Sequence, residues 1–378
     1  MRFPTVPQPL PALSLNARIR LSPYHERTVE HGAQLVSVYN KMRLPGGYGD
    51  PEAEYRRLTE GVAIWDVAAE RQLEVRGPDA SACVQYLTAR DLSKMKEGQG
   101  KYVAMCDHQG RILNDPVLLK LADRYWFSLA DSDMLLWARA IAGERGFDVE
   151  IDEPDVSPLA VQGPKAESVI VDLFGPHVTS LRYFWFIETD LDGIPLVLCR
   201  SGWSKQGGFE LFLQDGSRAT ELWDKVWEAG QPYDIGPGVP NQTERIESGL
   251  LSFGGDTTPD TNPFEAGMAR FVDVDLEPDY IGKAALQRVA AEGPARQLVG
   301  LTVATEPGQT AWPIVTRMPV WLDGEQVGTM SSMADSPRLQ KTIAVAQVAT
   351  PVVEAGATVT VDSPDGPREA TISALPFI

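Results

Sequence analysis

Apolar residues recur along this chain in short alternating or continuous runs separated by glycine- and proline-containing turns. Only a few stretches carry the 3.6-residue period of a helix. The run 194–199, Ile-Pro-Leu-Val-Leu-Cys, reads as a buried strand. In 209–213, Phe209, Leu211 and Leu213 alternate with Glu210 and Phe212, which reads as a second strand. Between them lies a glycine-interrupted loop with one large aromatic, Trp203, ending on one carboxylate, Glu210. Such a loop can hold a flat heteroaromatic ligand: Trp203 would stack, Glu210 would meet polar ring atoms, and the glycines would allow close backbone approach. It reads equally well as an ordinary hairpin loop with a core-facing tryptophan.

Taken in order, 1–21 is an irregular, proline-rich lead-in. Ser22 caps a helix with Pro23 at its first position. A Gly/Pro loop is expected over 42–50, a short helix over 51–59 and a strand over 62–67. The unit strand (72–76), Gly77-Pro78 turn and helix recurs as strand (157–162), Gly163-Pro164 turn and helix. Two copies suggest two related α+β units. Between them 101–106 and 112–119 read as hairpin strands, 125–129 as a strand and 134–143 as a helix. An amphipathic helix follows over 219–229, then a loop over 232–240. A helix is expected over 241–251, with Arg245, Ser248 and Ser252 on one face and Ile246, Leu250 and Phe253 on the other. From 297 onward short β-type runs (298–303, 320–322, 326–330, 342–348, 357–361) have the spacing of a small barrel or sandwich. The expected class is α+β with three domains, 1–150, 151–295 and 296–378. Interleaving of the first two is left open.

Composition narrows the function. A formal net charge of −18 over 378 residues argues against nucleic acid or a membrane surface as the main partner. Cys83, Cys106 and Cys199 are odd in number and set in apolar contexts, as reduced core residues are. Four histidines without metal-ligand spacing leave no expected metal. The first twenty residues lack a continuous apolar core and no window of 18 apolar residues occurs, so a cytoplasmic protein is expected. No dinucleotide, P-loop or nucleophile-elbow motif is present.

The remaining candidates are polar groups embedded in apolar segments. Asp115 lies between Leu113 and Val117 and is followed by Pro116. It reads as a site carboxylate or as a satisfied turn carboxylate. Glu210, Arg245, Glu247 and Glu265 have similar settings. Arg245 and Glu247 read singly as helix-surface or interdomain salt-bridge residues. Lys101 and Lys205 read as solvated loop lysines.

The order of these motifs resembles a known family. Asp66-Val67, Arg76-Gly77-Pro78, Ile112-Leu113-Asn114-Asp115 and Gln162-Gly163-Pro164 are followed by Ser201-Gly202-Trp203 and Gly208-Phe209-Glu210. Then come Arg245-Ile246-Glu247, Asn262-Pro263-Phe264-Glu265-Ala266-Gly267, Tyr280-Ile281-Gly282-Lys283 and Ser336-Pro337. This is similar to the folate-dependent aminomethyltransferases, the family of the glycine cleavage T-protein, over nearly the whole chain beyond residue 22. Where T-proteins read D-V-S-H-M, this chain reads Asp66-Val67-Ala68-Ala69-Glu70. Where they read T-G-Y-T-G-E, it reads Ser201-Gly202-Trp203-Ser204-Lys205-Gln206. These phrases resemble the dimethylsulfoniopropionate demethylase branch.

The resemblance implies three domains around a central tetrahydrofolate channel, the last a small β-barrel. It implies Asp115 as the catalytic aspartate and Glu210 as the glutamate that grips the pterin. Tyr102, Tyr183 and Trp203 would line the pterin site, and Arg245 would join Asp115 in cofactor binding. The implied reaction moves a methyl group from a small methylated donor to N5 of tetrahydrofolate, with no carrier protein expected. Trp203 and Tyr102 could hold a cationic donor by cation–π contact. Arg71, Arg245 and Lys205 are unranked candidates for its carboxylate. The alternatives are a T-protein aminomethyltransferase, a folate-dependent demethylase of another N-, O- or S-methyl donor, and, more distantly, a non-enzymatic folate-binding protein. Nothing in the sequence fixes the oligomeric state.

Overall fold

The computed structural model describes residues 16–305, 317–353, 357–363 and 366–378, and in it two mostly antiparallel sheets backed by helices precede a closed barrel. The five-stranded sheet runs Glu150–Asp152, Gln72–Arg76, Arg124–Ser128, Val117–Lys120, Gln99–Tyr102. Helices Ala80–Leu87 and Met134–Arg145 cover it, packing Val84, Leu87 and Ala138 with Leu73, Val75, Leu118 and Phe127. The six-stranded sheet runs Phe186–Leu191, Ile194–Cys199, Gly208–Leu213, Ser157–Gln162, Ala63–Asp66, Gly236–Pro237, with only the last pairing parallel. Helices Ala166–Phe174 and Ala219–Gly230 back it through Ile170, Leu222 and Trp223.

The continuous apolar runs now have a cause. The opposite faces of the same strands meet each other, bringing Leu119 and Trp126 of one sheet against Phe186, Val197 and Phe212 of the other. Strands buried on both faces have no reason to alternate. Residues 63–66 thus supply a strand to the sheet built mainly from 157–213, although the next strand, Gln72–Arg76, belongs to the other sheet.

The repeated Gly-Pro turn is the same backbone device used twice. Gly77 and Gly163 have φ of +122° and +119°. A Cβ would fall 2.7 Å from the Asp148 carbonyl oxygen at the first and 2.6 Å from that of Gly61 at the second. Only glycine combines that φ with that approach.

Six strands close the barrel, in the order Arg296–Val303, Lys341–Ala349, Glu325–Ser336, Met318–Leu322, Thr358–Val361, Arg368–Ser373. The last of these is absent from the sequence expectation because its alternation, Arg-Glu-Ala-Thr-Ile-Ser, is mostly polar. Closure explains the pattern: only Ala370 and Ile372 face inward.

Four other expectations are corrected. Met42–Gly47 is a strand paired with Leu35–Tyr39, and Pro45 is tolerated there because the two-stranded hairpin leaves an unpaired side. The helix expected over 241–251 ends at Glu247, because Gly249 turns the chain at φ +62° and the Leu250 amide donates to the Arg245 carbonyl oxygen. The first helix begins at His25; Ser22 Oγ accepts from the Tyr24 amide just ahead of it. Lys101 lies in a strand, half-buried, and not in a solvated loop. Residues 1–15 of the lead-in lie outside the described residues. No described helix is long and apolar enough to cross a membrane.

The short helix Gln242–Glu247 fastens the barrel to the sheets. Glu247 is fully buried and accepts from Tyr55 Oη at 2.8 Å, Ser336 Oγ at 2.5 Å and Arg338 Nε at 2.9 Å. Ile246 packs against Ala334, Ile343 and Val345 of the barrel wall. Glu265 makes a second fastening, to Arg296 at 3.1 Å. Removing Glu247 leaves the buried Tyr55 and Ser336 hydroxyls without an acceptor, so Glu247→Ala should cost about 2–4 kcal/mol in a urea melt. A loss under about 1 kcal/mol would mean that Glu247 does not hold the barrel in place.

Candidate active site

Asp115 owes its position to a broken hairpin. Tyr102 pairs with Val117, and Met105 pairs with Asn114, but the ladder fails between those two pairs. Pro116 has no amide to donate, and only its carbonyl oxygen is used, by the Val103 amide at 3.0 Å. Asn114 anchors one side of the break, donating to the Ala130 carbonyl oxygen at 3.0 Å and to Ser132 Oγ at 2.8 Å. The Asp115 carboxylate, 9% exposed, takes one hydrogen bond from Tyr102 Oη at 2.6 Å. Burial pushes its pKa up to about 7, against the lowering by the Tyr102 hydrogen bond, and the charge of Asp256 adds to the rise. This is a carboxylate at a ladder break, not in a turn.

Glu210 sits in the strand Gly208–Leu213, opposite Cys199 and Ala160. Ser201 Oγ donates to one of its oxygens. The other accepts no hydrogen bond among the described residues. Burial raises its pKa, and the Ser201 hydrogen bond opposes the rise.

A third carboxylate, Glu70, joins these two. Its pKa is raised well above the usual range, first by burial and then by the charges of Glu210 and Asp115. Its side chain makes no hydrogen bond among the described residues. The sequence signal was present in Asp66-Val67-Ala68-Ala69-Glu70, where an acid replaces the methionine of the T-protein phrase. Read as a substrate marker only, the phrase was not assigned a site residue. Tyr39 was missed as well: Glu70 and Asp115 are among the charges that, after burial, raise its phenol pKa. The hairpin turn after it is locked by Asn40, whose Nδ2 donates to the Ala69 carbonyl oxygen at 3.0 Å and whose Oδ1 accepts from the Ser132 amide at 3.1 Å. One turn thereby ties Ala69, beside Glu70, to Ser132, whose hydroxyl accepts from Asn114 beside Asp115.

Tyr102 meets Asp115 and packs edge-on against Phe271 with ring centroids 5.1 Å apart. Tyr183 donates to the Gly202 carbonyl oxygen at 3.3 Å. Its ring is 54% exposed, yet its phenol pKa is raised, first by its enclosed surroundings and then by the Glu210 charge. Trp203 is half-buried and ties its loop to the Leu251 carbonyl oxygen through Nε1 at 3.2 Å. The glycines of this loop serve a different neighbour from the one expected. A Cβ on Gly202 would lie 2.1 Å from the Gln162 amide, and Gly208 closes on the same side chain. Gln162, fully buried, donates to the Ser201 carbonyl oxygen at 3.0 Å and accepts from Ser204 Oγ at 2.9 Å. The glycines admit Gln162, which fixes the loop.

Arg245 lies on the helix Gln242–Glu247. It is 1% exposed and paired with Asp256 at 2.7 Å, and Asp256 also accepts from the Ser252 amide and from Ser331 and Ser332 of the barrel. Arg245 Nη1 is spent on that pair and its Nε on Gln242 Oε1 at 2.9 Å. Arg71 is similarly committed, to Glu153 and to the carbonyl oxygens of Pro154 and Val156, so it is not a free cation for a substrate carboxylate. Lys205 is exposed on the loop.

Two family models match the chain: the GCVT N-terminal domain over residues 24–276 and the glycine cleavage T-protein C-terminal barrel domain over 296–378. The dimethylsulfoniopropionate demethylase of Ruegeria pomeroyi is 42% identical, covering 94% of this chain and 96% of that protein. An aminomethyltransferase of Herpetosiphon aurantiacus is 30% identical over 95% and 98%. The solved aminomethyltransferase T of the Bartonella henselae glycine cleavage system shares the fold, with a TM-score of 0.85 at 24% identity over 95% and 98%.

The raised pKa of Asp115 has a consequence for stability. Its folded value of about 7 exceeds the ordinary 3.8, so the folded protein holds this proton more tightly than the unfolded chain. The stability it contributes is full below about pH 4 and is lost as pH rises through about 7. The Tm of Asp115→Asn relative to wild type should therefore climb across that interval, measured without ligand. A difference that stays flat would mean that the carboxyl is not desolvated.

Proposed function

The chain belongs to the glycine cleavage T-protein family, and on that premise we propose that it is a tetrahydrofolate-dependent demethylase of a small onium donor, dimethylsulfoniopropionate being the best fit. The observation that carries the reading past the family level is the trio Asp115, Glu210 and Glu70. Three neighbouring carboxylates with raised pKa values, and no basic side chain hydrogen-bonded to any of them among the described residues, favour a positively charged occupant. The identity to the Ruegeria pomeroyi demethylase along nearly the whole chain supports the same donor.

The donor set also fits a reduced pterin. The uncommitted oxygens of Glu210 and Glu70 are acceptors for its ring N–H and amino groups, and Tyr183 and the half-buried Trp203 offer aromatic surface. Tetrahydrofolate, when bound, supplies N5 as the nucleophile that receives the methyl group. A sulfonium leaves as a neutral thioether with the C–S electron pair on sulfur, so no side chain need protonate the leaving group. The proton released from the nucleophilic nitrogen needs an acceptor, and Asp115, with its pKa of about 7, is poised to take it near neutral pH. Tyr102 orients that carboxylate, and Glu70 adds the negative field that holds the cation in place.

An aminomethyltransferase remains the second reading, favoured by the 30% identity to the Herpetosiphon aurantiacus protein. Incubation with tetrahydrofolate and dimethylsulfoniopropionate should yield 5-methyltetrahydrofolate by mass. Methylenetetrahydrofolate formed only when glycine-cleavage carrier protein is added would favour the second reading. In the demethylase assay Asp115→Asn should lower turnover about 100-fold or more while the protein stays folded. A variant as active as wild type would remove Asp115 from the chemistry.

A further inference from the structure

The loop 201–207 has no regular structure of its own, so its shape is dictated by what it bonds to. Gln162 holds its first half. The second half is held by Glu244, a residue outside the chemistry derived so far. Glu244 is fully buried, and its Oε1 accepts from the Lys205 amide at 3.1 Å, from Gln206 Nε2 at 2.7 Å and from Ser248 Oγ at 2.7 Å. Its Oε2 is buried as well and accepts no hydrogen bond among the described residues.

A helix end does not ask this of that position. Asn241 caps the helix Gln242–Glu247, its side chain accepting from the Glu244 amide at 3.0 Å. An acid third in a capped helix ordinarily folds back onto the amide of the cap residue, a local bond that leaves the carboxylate near water. Here the carboxylate turns instead to a loop 38 positions earlier and leaves one oxygen buried without a donor. Burying half a carboxylate unpaired costs stability, so the arrangement answers another need.

Gln206 is the partner that shows the need. Its Nε2 meets the Glu244 carboxylate and its Oε1 faces Arg338 Nη1 at 3.5 Å, so an amide presents the right group to each side. T-proteins carry a glutamate at this place, the last letter of T-G-Y-T-G-E. In this chain a glutamate at 206 would keep the guanidinium, meet Glu244 with like charge and draw the loop off its seat. That loop carries Ser201, which donates to Glu210, and the half-buried Trp203. We propose that Glu244 and Gln206 form a positioning pair that sets this loop for the pterin of tetrahydrofolate, the amide at 206 being matched to the acid at 244. This rests on the folate reading above. Both residues act through Ser201 and Trp203.

Calorimetric titration of the full chain with tetrahydrofolate, alongside thermal melts, tests the pair. Gln206→Glu should weaken binding roughly 10-fold, and Gln206→Met, which removes the donor without adding charge, should weaken it too. The exchange variant Gln206→Glu/Glu244→Gln again places one amide against one carboxylate, and its Kd should return to within about 3-fold of wild type. A purely structural pair would move Tm and leave Kd alone, so unchanged affinity in both single variants would overturn the proposal and leave the folate reading intact. A Gln206→Glu defect that the exchange does not repair would overturn it as well. Wild type that binds no tetrahydrofolate would overturn both readings together.

Discussion

The cost of keeping carboxylates out of water organises the centre of this molecule. The charges of Asp115 and Glu210 both raise the pKa of Glu70, and no guanidinium or ammonium bonds to any of the three among the described residues. Such a group survives burial only if each member keeps a donor, a proton or a charged visitor. Tyr102 and Ser201 are the donors. The broken hairpin at Pro116 and the Asn40 turn are the backbone arrangements that hold the acids in place. The second oxygen of Glu210 and both of Glu70 accept no hydrogen bond among the described residues.

Cations of the same region are spent elsewhere, and their distribution is informative. Arg245 and Asp256, both 1% exposed, form a pair whose carboxylate also collects two barrel serines. Two residues on, fully buried Glu247 takes the partly exposed Arg338 of the barrel along with Tyr55 and Ser336. Buried pairs of this kind contribute little net stability, but breaking either half is costly, so they fix how the barrel sits against the sheets. Because Asp256 is also felt at Asp115, that orientation is coupled electrostatically to the candidate site.

Much of this was legible in the sequence. Paired Gly-Pro turns announced two related units because their glycines need a φ that other residues resist. Asp115 stood out as an acid in an apolar run before a proline. What escaped notice had a common cause: it depends on partners remote in sequence. The strand Arg368–Ser373 looks polar until closure gives it an inner face. The partnership of Arg245 with Asp256 cannot be assigned from spacing alone. Glu70 has no local signal, because the charge that acts on it comes from Glu210, 140 positions later, on a strand one removed from Ala63–Asp66 in the same sheet.

The crossing of strand Ala63–Asp66 into the second sheet also bears on how the chain reaches this structure. The five-stranded sheet is complete once residue 152 is available, since all its strands lie between 72 and 152. Ala63–Asp66 must wait, because its neighbours are Ser157–Gln162 on one side and Gly236–Pro237 on the other. Chain closure over such separations is slow, and an apolar strand left unpaired meanwhile is prone to wrong partners. Synthesis from the N-terminus therefore delivers the half of the site around Asp115 well before the half around Glu210. A newly made chain would pass through a stage with one finished sheet and one sticky edge, the point at which chaperones would be needed most.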